Sequence, residues 1–447
     1  MSSKKLVDFS PGRVVILSLL SMIVVGVLLL SLPSATTKPI ALIDLFFTTT
    51  SFTCVTGLLT VSLDSFSFFG QCILLCIMQI GGLGIITLTL LFMYLIAELG
   101  LATQLMAGQL LEIDSWPQIK KLLIFITLFT ISIELIATVL LFPTFYTHHS
   151  FAQAVFFSFF HAVSIFCNAG VWLAPDTDIQ IFLGNGFALT VMAILILISD
   201  IGFMAWYELY QKTDLLHERK KIHLSLQSKI VFHATLLIVS VSTLLFLCLE
   251  WTRTLARLPF LKKIGIAFFN GNSMRSTGMI FDQTANLHPG TSLLAMLLAF
   301  VGAAPLSTGS GVKITTVAVF LAMIRSVLNS RFAVEIKGRT IPFEQAQKAC
   351  AIIFLTIAWI FLSSFCLLLV QPNLQIHDVL FETTMAITNV GISSGLTQQL
   401  STLGKLIIMI TMIIGRIGSV TLLLAILSSK TRKVTDFSYP EERVTFG

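Results

Sequence analysis

The chain has 447 residues, of which 55% are apolar and 11% charged, and its mean hydropathy is +0.92. These values lie far outside the usual range of soluble domains and exclude a soluble globular protein. The formal net charge is +6, and Lys and Arg cluster in a few short segments between apolar runs. The sequence therefore predicts a polytopic membrane protein that is embedded in a lipid bilayer.

The first apolar run extends from about Val14 to Leu32 and follows a short basic segment. It is too long for the hydrophobic region of a signal peptide, and Pro33 follows it where a cleavage site of the A-x-A type would be expected. We therefore interpret this run as the first membrane-spanning helix.

A pattern that occurs four times organises the chain: a phenylalanine is followed, after nine residues, by a glycine between long apolar runs. The copies are Phe47 to Gly57, Phe160 to Gly170, Phe268 to Gly278 and Phe381 to Gly391. A spacing of about 110 residues indicates internal repeats. We predict an all-α membrane protein with four repeats around one pseudo-four-fold pore. Each repeat would contain an outer helix, a shorter pore helix, a filter loop that carries the glycine, and an inner helix.

The predicted repeats are residues 1–97, 98–211, 212–326 with a broken inner helix, and 327–447 with a cytoplasmic tail. We expect the inner helices at about 68–97, 182–210, 290–326 and 403–429. Eight spans would place both termini on one side of the membrane. Most basic residues fall in the connections on that side, at Lys4, Lys5, Arg13, Lys212, Arg219, Lys220, Lys221, Lys229, Arg325, Arg331, Lys337, Arg339, Lys430, Arg432 and Lys433. The positive-inside rule makes that side the cytoplasm.

The four glycine loops share the glycine but not their side chains. Such a pattern is expected where backbone carbonyls bind a dehydrated cation, because glycine reaches the required dihedral angles without a Cβ near the ion. The alternative is that each glycine only relieves helix packing or breaks a helix, and four copies in register favour the filter. The predicted filter residues are Val55, Thr56, Gly57, Asn168, Ala169, Gly170, Ser276, Thr277, Gly278, Asn389, Val390 and Gly391.

Several of these residues resemble a known family. The loops contain T-G-L, N-A-G and R-S-T-G, and two further motifs follow, S-T-G-S-G-V-K at 307–313 and I-G-R-I-G at 414–418. Over nearly its whole length the chain resembles the Trk/Ktr/HKT potassium transporter superfamily, and specifically its KtrB-type membrane subunits. The resemblance implies a homodimer in the cytoplasmic (inner) membrane that contacts a cytosolic, nucleotide-binding, KtrA-like regulatory ring. Relatives that conduct sodium carry serine at the position of Gly57, so the resemblance also implies potassium as the bound ion.

The third inner helix contains Gly302, Pro305 and Gly311 together with other small residues, so it cannot continue as a regular helix. A broken helix at this depth predicts a mobile plug, and the resemblance implies an intramembrane gating loop beneath the filter. The alternative is a proline kink that packs against its neighbours. The predicted gate residues are Ser307, Thr308, Gly309, Ser310, Gly311, Lys313 and Arg416.

Arg416 and Asp200 occupy matching positions in the fourth and second inner helices, and ionisable groups at membrane depth normally face a cavity or a partner. We expect Arg416 to project into the pore as an electrostatic barrier or as a tether of the gating loop. Asp200 is its candidate charge partner. Asp200 follows Gly170 by 30 residues whereas Arg416 follows Gly391 by 25, so the second loop must contain the additional residues. Asp200 could instead face the third inner helix or the cytoplasmic vestibule.

No P-loop, dinucleotide-binding or zinc-protease motif occurs in the sequence, so we expect no organic cofactor, no enzymatic activity and no nucleic acid partner. His161 and His233 have no partner at metal-ligand spacing, which leaves potassium as the only expected bound ion. The predicted function is potassium uptake through a four-loop selectivity filter. The alternative is a proton- or sodium-coupled carrier with alternating access, in which Asp200 or Glu134 would bind the coupling ion; repeats of one direction argue against it.

Overall fold

The computed structural model describes residues 11–84, 116–216, 224–281, 286–331 and 333–418. The first part contains α1 (Pro11–Leu30), α2 (Leu42–Cys54) and α3 (Phe68–Gly82). The second contains α4 (Trp116–Tyr146), α5 (Phe151–Phe166), α6 (Pro175–Gly184), α7 (Gly186–Ile201) and α8 (Phe203–Leu216). The third contains α9 (Leu226–Glu250), α10 (Phe260–Ser276), α11 (Pro289–Phe300) and α12 (Ile314–Leu328). A hairpin of β1 (Val334–Ile336) and β2 (Arg339–Ile341) precedes α13 (Phe343–Val370), α14 (Ile376–Thr388) and α15 (Thr402–Ile417). The described chain is mostly helical, which confirms the predicted all-α class; the division into four repeats stays a prediction.

The outer helices provide the long apolar spans. Within the described residues, α4, α9 and α13 are long and apolar enough to cross a membrane, and α6 with α7 adds a fourth candidate that bends by 103°. Large apolar side chains cover their outer surfaces, for example Phe354 at 71% and Leu236 at 70% exposure. The threonines of α2 are buried instead. Apolar side chains outside and polar side chains inside are the arrangement that lipid favours.

Each predicted inner helix ends or breaks within its described residues. They contain 15, 16, 12 and 16 residues in α3, α7, α11 and α15. Gly202 follows α7 with φ +86° and Gly418 follows α15 with φ +85°, a region in which side chains are strained. The break expected only in the third inner helix therefore also occurs in the second, between α7 and α8. Residues 85–97 and 419–429 of the predicted inner helices, and the basic residues at 4–5, 219–221 and 430–433, lie outside the described residues.

Among the described residues, the second predicted repeat has an additional α-helix between its glycine loop and its inner helix. The inner helices α3, α11 and α15 begin eleven residues after the glycine of their loop, whereas α7 begins sixteen residues after Gly170 because α6 intervenes. Asn185 ends this insertion, and its side chain caps α7 by accepting from the N–H groups of Phe187 and Ala188. As a result Asp200 and Arg416 are both the fifteenth residue of a sixteen-residue helix.

Candidate functional site

Each glycine loop is held by the short helix that precedes it. The glycine N–H groups donate to that helix in all four loops: Gly57 to Ser51 Oγ at 3.0 Å, Gly170 to Ser164 O at 3.4 Å, Gly278 to Ser273 O at 2.8 Å and Gly391 to Met385 O at 3.4 Å. The N–H and C=O of a peptide group point in opposite directions. The carbonyl that precedes each glycine is therefore turned away from its own short helix.

Each of these four carbonyl oxygens contacts the glycine of a neighbouring loop, and the contacts run from loop to loop around a circle. A Cβ on any of the glycines would collide with one of them: on Gly57 with the Ala169 oxygen, on Gly170 with that of Thr277, on Gly278 with that of Val390, and on Gly391 with that of Thr56. The last contact returns to the first loop, so the loops form a closed ring. Only glycine fits at these positions because the neighbouring carbonyl occupies the space of a side chain.

The ring contains buried acceptors without donors. Thr56, Ala169, Thr277 and Val390 are each at most 1% exposed. Within the described ranges, no N–H or side-chain donor bonds the carbonyl oxygens of these four residues. In every loop the glycine is half-buried while the two residues before it are buried. Because buried backbone carbonyls are normally paired, four unpaired oxygens around one ring make a site suited to a cation.

The third loop departs from the other three in its backbone. Val55, Asn168 and Asn389, two residues before their glycines, have positive φ values of 55°, 61° and 52°. Asparagine tolerates this conformation, whereas it strains the β-branched Val55. The corresponding residue of the third loop, Ser276, is instead the last residue of α10. Ser276 thus lies at the end of the short helix, and its place in the filter stays a prediction.

The interruption between α11 and α12 is the non-helical segment 301–313, which contains the predicted gate residues of the third inner helix. Thr308, Gly309 and Ser310 are buried. Within the segment, Ser307 Oγ donates to the Ala304 carbonyl at 2.6 Å and Lys313 Nζ donates to the Gly309 carbonyl at 2.6 Å. These bonds hold a compact loop rather than a kinked helix.

Helices from the neighbouring units bind the 301–313 segment from outside. Arg416 Nη1 donates to the Thr308 carbonyl at 3.2 Å and to Ser310 Oγ at 2.9 Å, and its Nη2 donates to the Gly81 carbonyl at the end of α3. On the α7 side, the Ala304 N–H donates to the Asp200 carbonyl at 3.0 Å. The segment thus lies between the second and fourth inner helices.

The hypothesis of a direct Asp200–Arg416 pair is wrong. Among the described residues, the cationic partner within 4.0 Å of the Asp200 carboxylate is Arg275, with Nη1 at 3.9 Å from Oδ2, and both side chains are fully buried. Ser276 Oγ also donates to this carboxylate at 2.9 Å, while Arg275 Nε and Nη2 donate to the Gly302 carbonyl at 3.2 Å each. Asp200 and Arg416 therefore meet the 301–313 segment separately, although their positions along the helices match.

The position that follows the repeated phenylalanine carries an ionisable side chain in two of the four copies, His161 and Glu382. In α14 this residue is Glu382, which is fully buried and accepts hydrogen bonds from Ser393 Oγ at 2.9 Å, Ser394 N at 3.1 Å and the Thr397 hydroxyl. These partners lie just beyond the fourth glycine. Glu382 therefore ties the short helix to the exit of its own loop.

In the second unit the same position is occupied by His161. Its Nε2 lies 3.1 Å from Asp178 Oδ2, and its Nδ1 lies 2.8 Å from the Phe157 carbonyl. Asp178 belongs to α6, so this pair also connects a short helix to the segment beyond its loop. Across the part of the chain that the structure describes, no group of three or more His, Cys, Asp or Glu side chains could hold a metal ion.

We expect Glu382→Gln to lower the thermal stability of the protein. The glutamine side chain has one acceptor oxygen, whereas the carboxylate offers two to the same donors. Its NH₂ group would face the hydroxyls and the N–H that now donate to Glu382. Each buried donor that loses its acceptor costs about 1–3 kcal/mol. Differential scanning fluorimetry of the purified protein measures the change. Glu344→Gln, at the exposed start of α13, is the matched control. Equal unfolding midpoints for the two variants would contradict this role of Glu382.

The fold and the four converging loops define a class of helical membrane protein. The crystal structure of the potassium transporter TrkH from Vibrio parahaemolyticus is similar over 96% of this chain and 86% of its own, with a TM-score of 0.75 at 15% identity, which shows a shared fold. Residues 14–433 match the model of the TrkH family, described as cation transport protein. The chain therefore belongs to the TrkH family of cation transport proteins, a family of potassium or sodium and potassium transporters and not of enzymes.

Relatives of similar length support the same assignment. Ktr system potassium uptake protein B of Bacillus subtilis is 33% identical over 99% of this chain and 98% of its own. The protein of that name from Vibrio alginolyticus is 31% identical over 97% of this chain and 94% of its own. Potassium/sodium uptake protein NtpJ of Enterococcus hirae is 30% identical over 98% and 97%. The predicted resemblance to KtrB-type subunits is confirmed.

Proposed function

We propose that this protein takes up K⁺ across the cytoplasmic membrane through a selectivity filter that the four glycine loops form. The observation that supports this most strongly is the closed ring, in which four buried carbonyl oxygens have no donor and face the glycines of the next loops. Backbone carbonyls replace the hydration shell of K⁺ in filters of this kind. The C-terminal ends of the four short helices add partial negative charge at the same place.

The choice of ion rests on the relatives and on the ring together. The Bacillus and Vibrio relatives are named for potassium, whereas the Enterococcus relative is named for potassium and sodium. The experiment must therefore measure both ions. Gly57 has no side chain that could add a ligand or narrow the ring, which favours the larger and more easily dehydrated K⁺.

Flux into liposomes tests the proposal. Purified protein would be reconstituted with K⁺, with Na⁺, or with both ions outside, and uptake would be followed by isotope or by a membrane-potential dye. We expect K⁺ to move down its electrochemical gradient, with a preference over Na⁺ and without need of a proton or sodium gradient. Uphill K⁺ movement driven by either gradient would favour the coupled carrier instead, and an absence of K⁺ flux would contradict the proposed function.

We further propose that the 301–313 segment is the gate. Its loop is closed by its own hydrogen bonds, and helices of other units hold it at both sides. Deletion of residues 305–311 removes the Gly309 partner of Lys313 and the Thr308 and Ser310 partners of Arg416. We therefore expect the deletion to raise K⁺ flux in liposomes and to make it independent of added regulators. A deletion variant with wild-type flux, at equal reconstitution, would contradict the gating proposal.

The chain is also proposed to act as a homodimer that contacts a cytosolic nucleotide-binding ring, with both termini in the cytoplasm. The name Ktr system, shared by the Bacillus and Vibrio relatives, supports an assembly of several components. Light scattering of the purified protein, and its coelution with a candidate ring protein in the presence of nucleotide, test this assembly.

A further inference from the structure

The side chain of Asn168 lies where the second glycine loop meets the 301–313 segment. Its Nδ2 donates to Thr308 Oγ1 at 2.8 Å and to Ser199 Oγ at 3.0 Å and lies 3.4 Å from Asp200 Oδ1, and its Oδ1 accepts a hydrogen bond from the hydroxyl of Thr277. Asn168, Ser199, Thr277 and Thr308 are each at most 2% exposed. One amide therefore joins the second loop, the third loop and the 301–313 segment without intervening solvent.

The hydroxyl of Thr308 orients this amide together with Ser199 Oγ, which donates its own proton to the Ile196 carbonyl, and with the Asp200 carboxylate. Thr308 Oγ1 donates its proton to the carbonyl oxygen of Phe166, the last residue of α5, at 2.8 Å. A carbonyl can only accept, so the proton of the hydroxyl is used there and its lone pairs are left for an N–H donor. The NH₂ end of Asn168 must face Thr308, and the oxygen of the amide is thereby directed to Thr277.

Asn168 is joined directly to two of the four residues that carry ring carbonyls, Ala169 and Thr277. Asn168 precedes Ala169, whose carbonyl oxygen lies against Gly57, and the carbonyl oxygen of Thr277 lies against Gly170. A turn of the amide would release the Thr277 hydroxyl and loosen the backbone on either side of Gly170. A change in the position of Thr308 would therefore change the positions of two adjacent ring carbonyls, those of Ala169 and Thr277.

The fourth loop offers a comparison, because Asn389 is placed equivalently and has a similar positive φ. Its Nδ2 donates to the carbonyls of Cys54 and Met412, at 3.0 and 3.2 Å. In the described part of the chain it has no hydrogen bond to the 301–313 segment. The connection between segment and ring is thus made on the side of Asn168.

We propose that Thr308 is a specificity-determining residue that lies outside the ring, because its hydroxyl, with Ser199 and Asp200, holds Asn168 in the orientation that positions the carbonyls of Ala169 and Thr277. The proposal rests on the proposed function of the ring as a filter. When the 301–313 segment moves, the second loop loses the hydrogen bonds of Thr308. The ion preference of the ring then depends on the position of the segment.

The test compares ion preference with flux. K⁺ and Na⁺ uptake of reconstituted Thr308→Val is measured beside Thr308→Ser and Ser307→Ala. Valine keeps the shape of threonine without its hydroxyl, serine keeps the hydroxyl, and Ser307 bonds within its own segment rather than to a glycine loop. We expect the K⁺/Na⁺ preference to fall about five-fold or more in Thr308→Val, the lower range of coupling between sites. Thr308→Ser and Ser307→Ala are expected to keep the wild-type preference, whatever their flux.

A double-mutant cycle with Asn168→Gly tests the connection itself. Glycine adopts the same positive φ, lacks the side-chain N–H groups that donate to Thr308, and places no second carboxylate beside Asp200. We expect Thr308→Val to change the preference little in the Asn168→Gly background, since the hydrogen bond is already absent there. Additive effects of the two substitutions on the logarithm of the preference would overturn the proposal. If Thr308→Val does not fold, Thr308→Ala is used in the same cycle.

The result also separates this proposal from the function on which it rests. Wild-type protein without K⁺ flux or without preference for K⁺ contradicts the proposed filter. Wild-type protein with a clear preference that Thr308→Val and Thr308→Ala both retain contradicts only the role of Thr308.

Discussion

Gly57→Ser is expected to lower the preference for K⁺ over Na⁺ on the order of tenfold, which corresponds to about 1.4 kcal/mol in relative free energy. The physical reason is steric, because a Cβ on Gly57 would occupy the place of the Ala169 carbonyl oxygen and displace it from the ring. Reversal potentials or competitive uptake in liposomes measure the preference. The protein is expected to reach the membrane and to fold, since a single loop contact is changed.

A matched control separates this effect from backbone strain. Gly395 has φ +92°, close to the +90° of Gly57, but nothing lies within 4 Å of a Cβ at that position. Gly395→Ser therefore introduces similar strain, about 1–2 kcal/mol for a residue with a side chain, without touching a carbonyl of the ring. Equal ion preference in Gly57→Ser and Gly395→Ser would contradict the assignment of the ring as a filter.

Arg416→Gln is expected to raise K⁺ flux about tenfold in the absence of regulatory partners. The guanidinium makes hydrogen bonds to Thr308 and Ser310 in the 301–313 segment, and bonds of a charged donor contribute roughly 1.5–3 kcal/mol each before solvent weakens them. Losing them destabilises the closed position of the segment relative to an open one. Flux of reconstituted protein at fixed K⁺ gradient measures the change.

Two further variants sharpen the interpretation. Arg416→Lys keeps the charge but loses the fork that reaches several acceptors, so a tether predicts raised flux whereas a purely electrostatic barrier predicts wild-type flux. Lys405→Met breaks an ion pair with Asp44 near the beginning of the same helix, at 2.5 Å between Nζ and Oδ1, and is expected to leave flux unchanged. Arg416→Gln with flux at or below the wild-type level would refute a closing role for Arg416.

The glycine loops could be predicted from the sequence because their steric constraint requires one residue type, glycine. Only glycine fits against a neighbouring carbonyl at positive φ, so the four positions stand out without knowledge of the fold. The interruption of the third inner helix could also be predicted, since Pro305 and its glycine neighbours cannot extend a helix. The break at Gly202 was missed because one glycine inside an apolar run does not by itself end a helix.

The charge pairs could not be predicted with the same success. Asp200 and Arg416 do occupy equal positions in their helices, as their motifs indicated, but a side chain pairs with what the neighbouring helices bring near it. Arg275 lies at the end of α10, within 3.9 Å of the Asp200 carboxylate. Its motif R-S-T-G does not indicate which way the Arg275 side chain points. The partners of Glu382 and His161 were missed for a related reason, since they lie beyond the loops, 11 or more residues further along the sequence.

The closed order of the ring has a consequence for biosynthesis. Asn389 donates to the Cys54 carbonyl across 335 residues of sequence, and Gly391 completes the ring at Thr56. At a synthesis rate of roughly 5–20 residues per second, the first loop would wait about 20–70 seconds for the fourth. During that time the polar backbone of the first loop belongs to an incompletely synthesised chain. A chain that stalls before the fourth loop would therefore expose unpaired carbonyls to the membrane and to quality-control proteases.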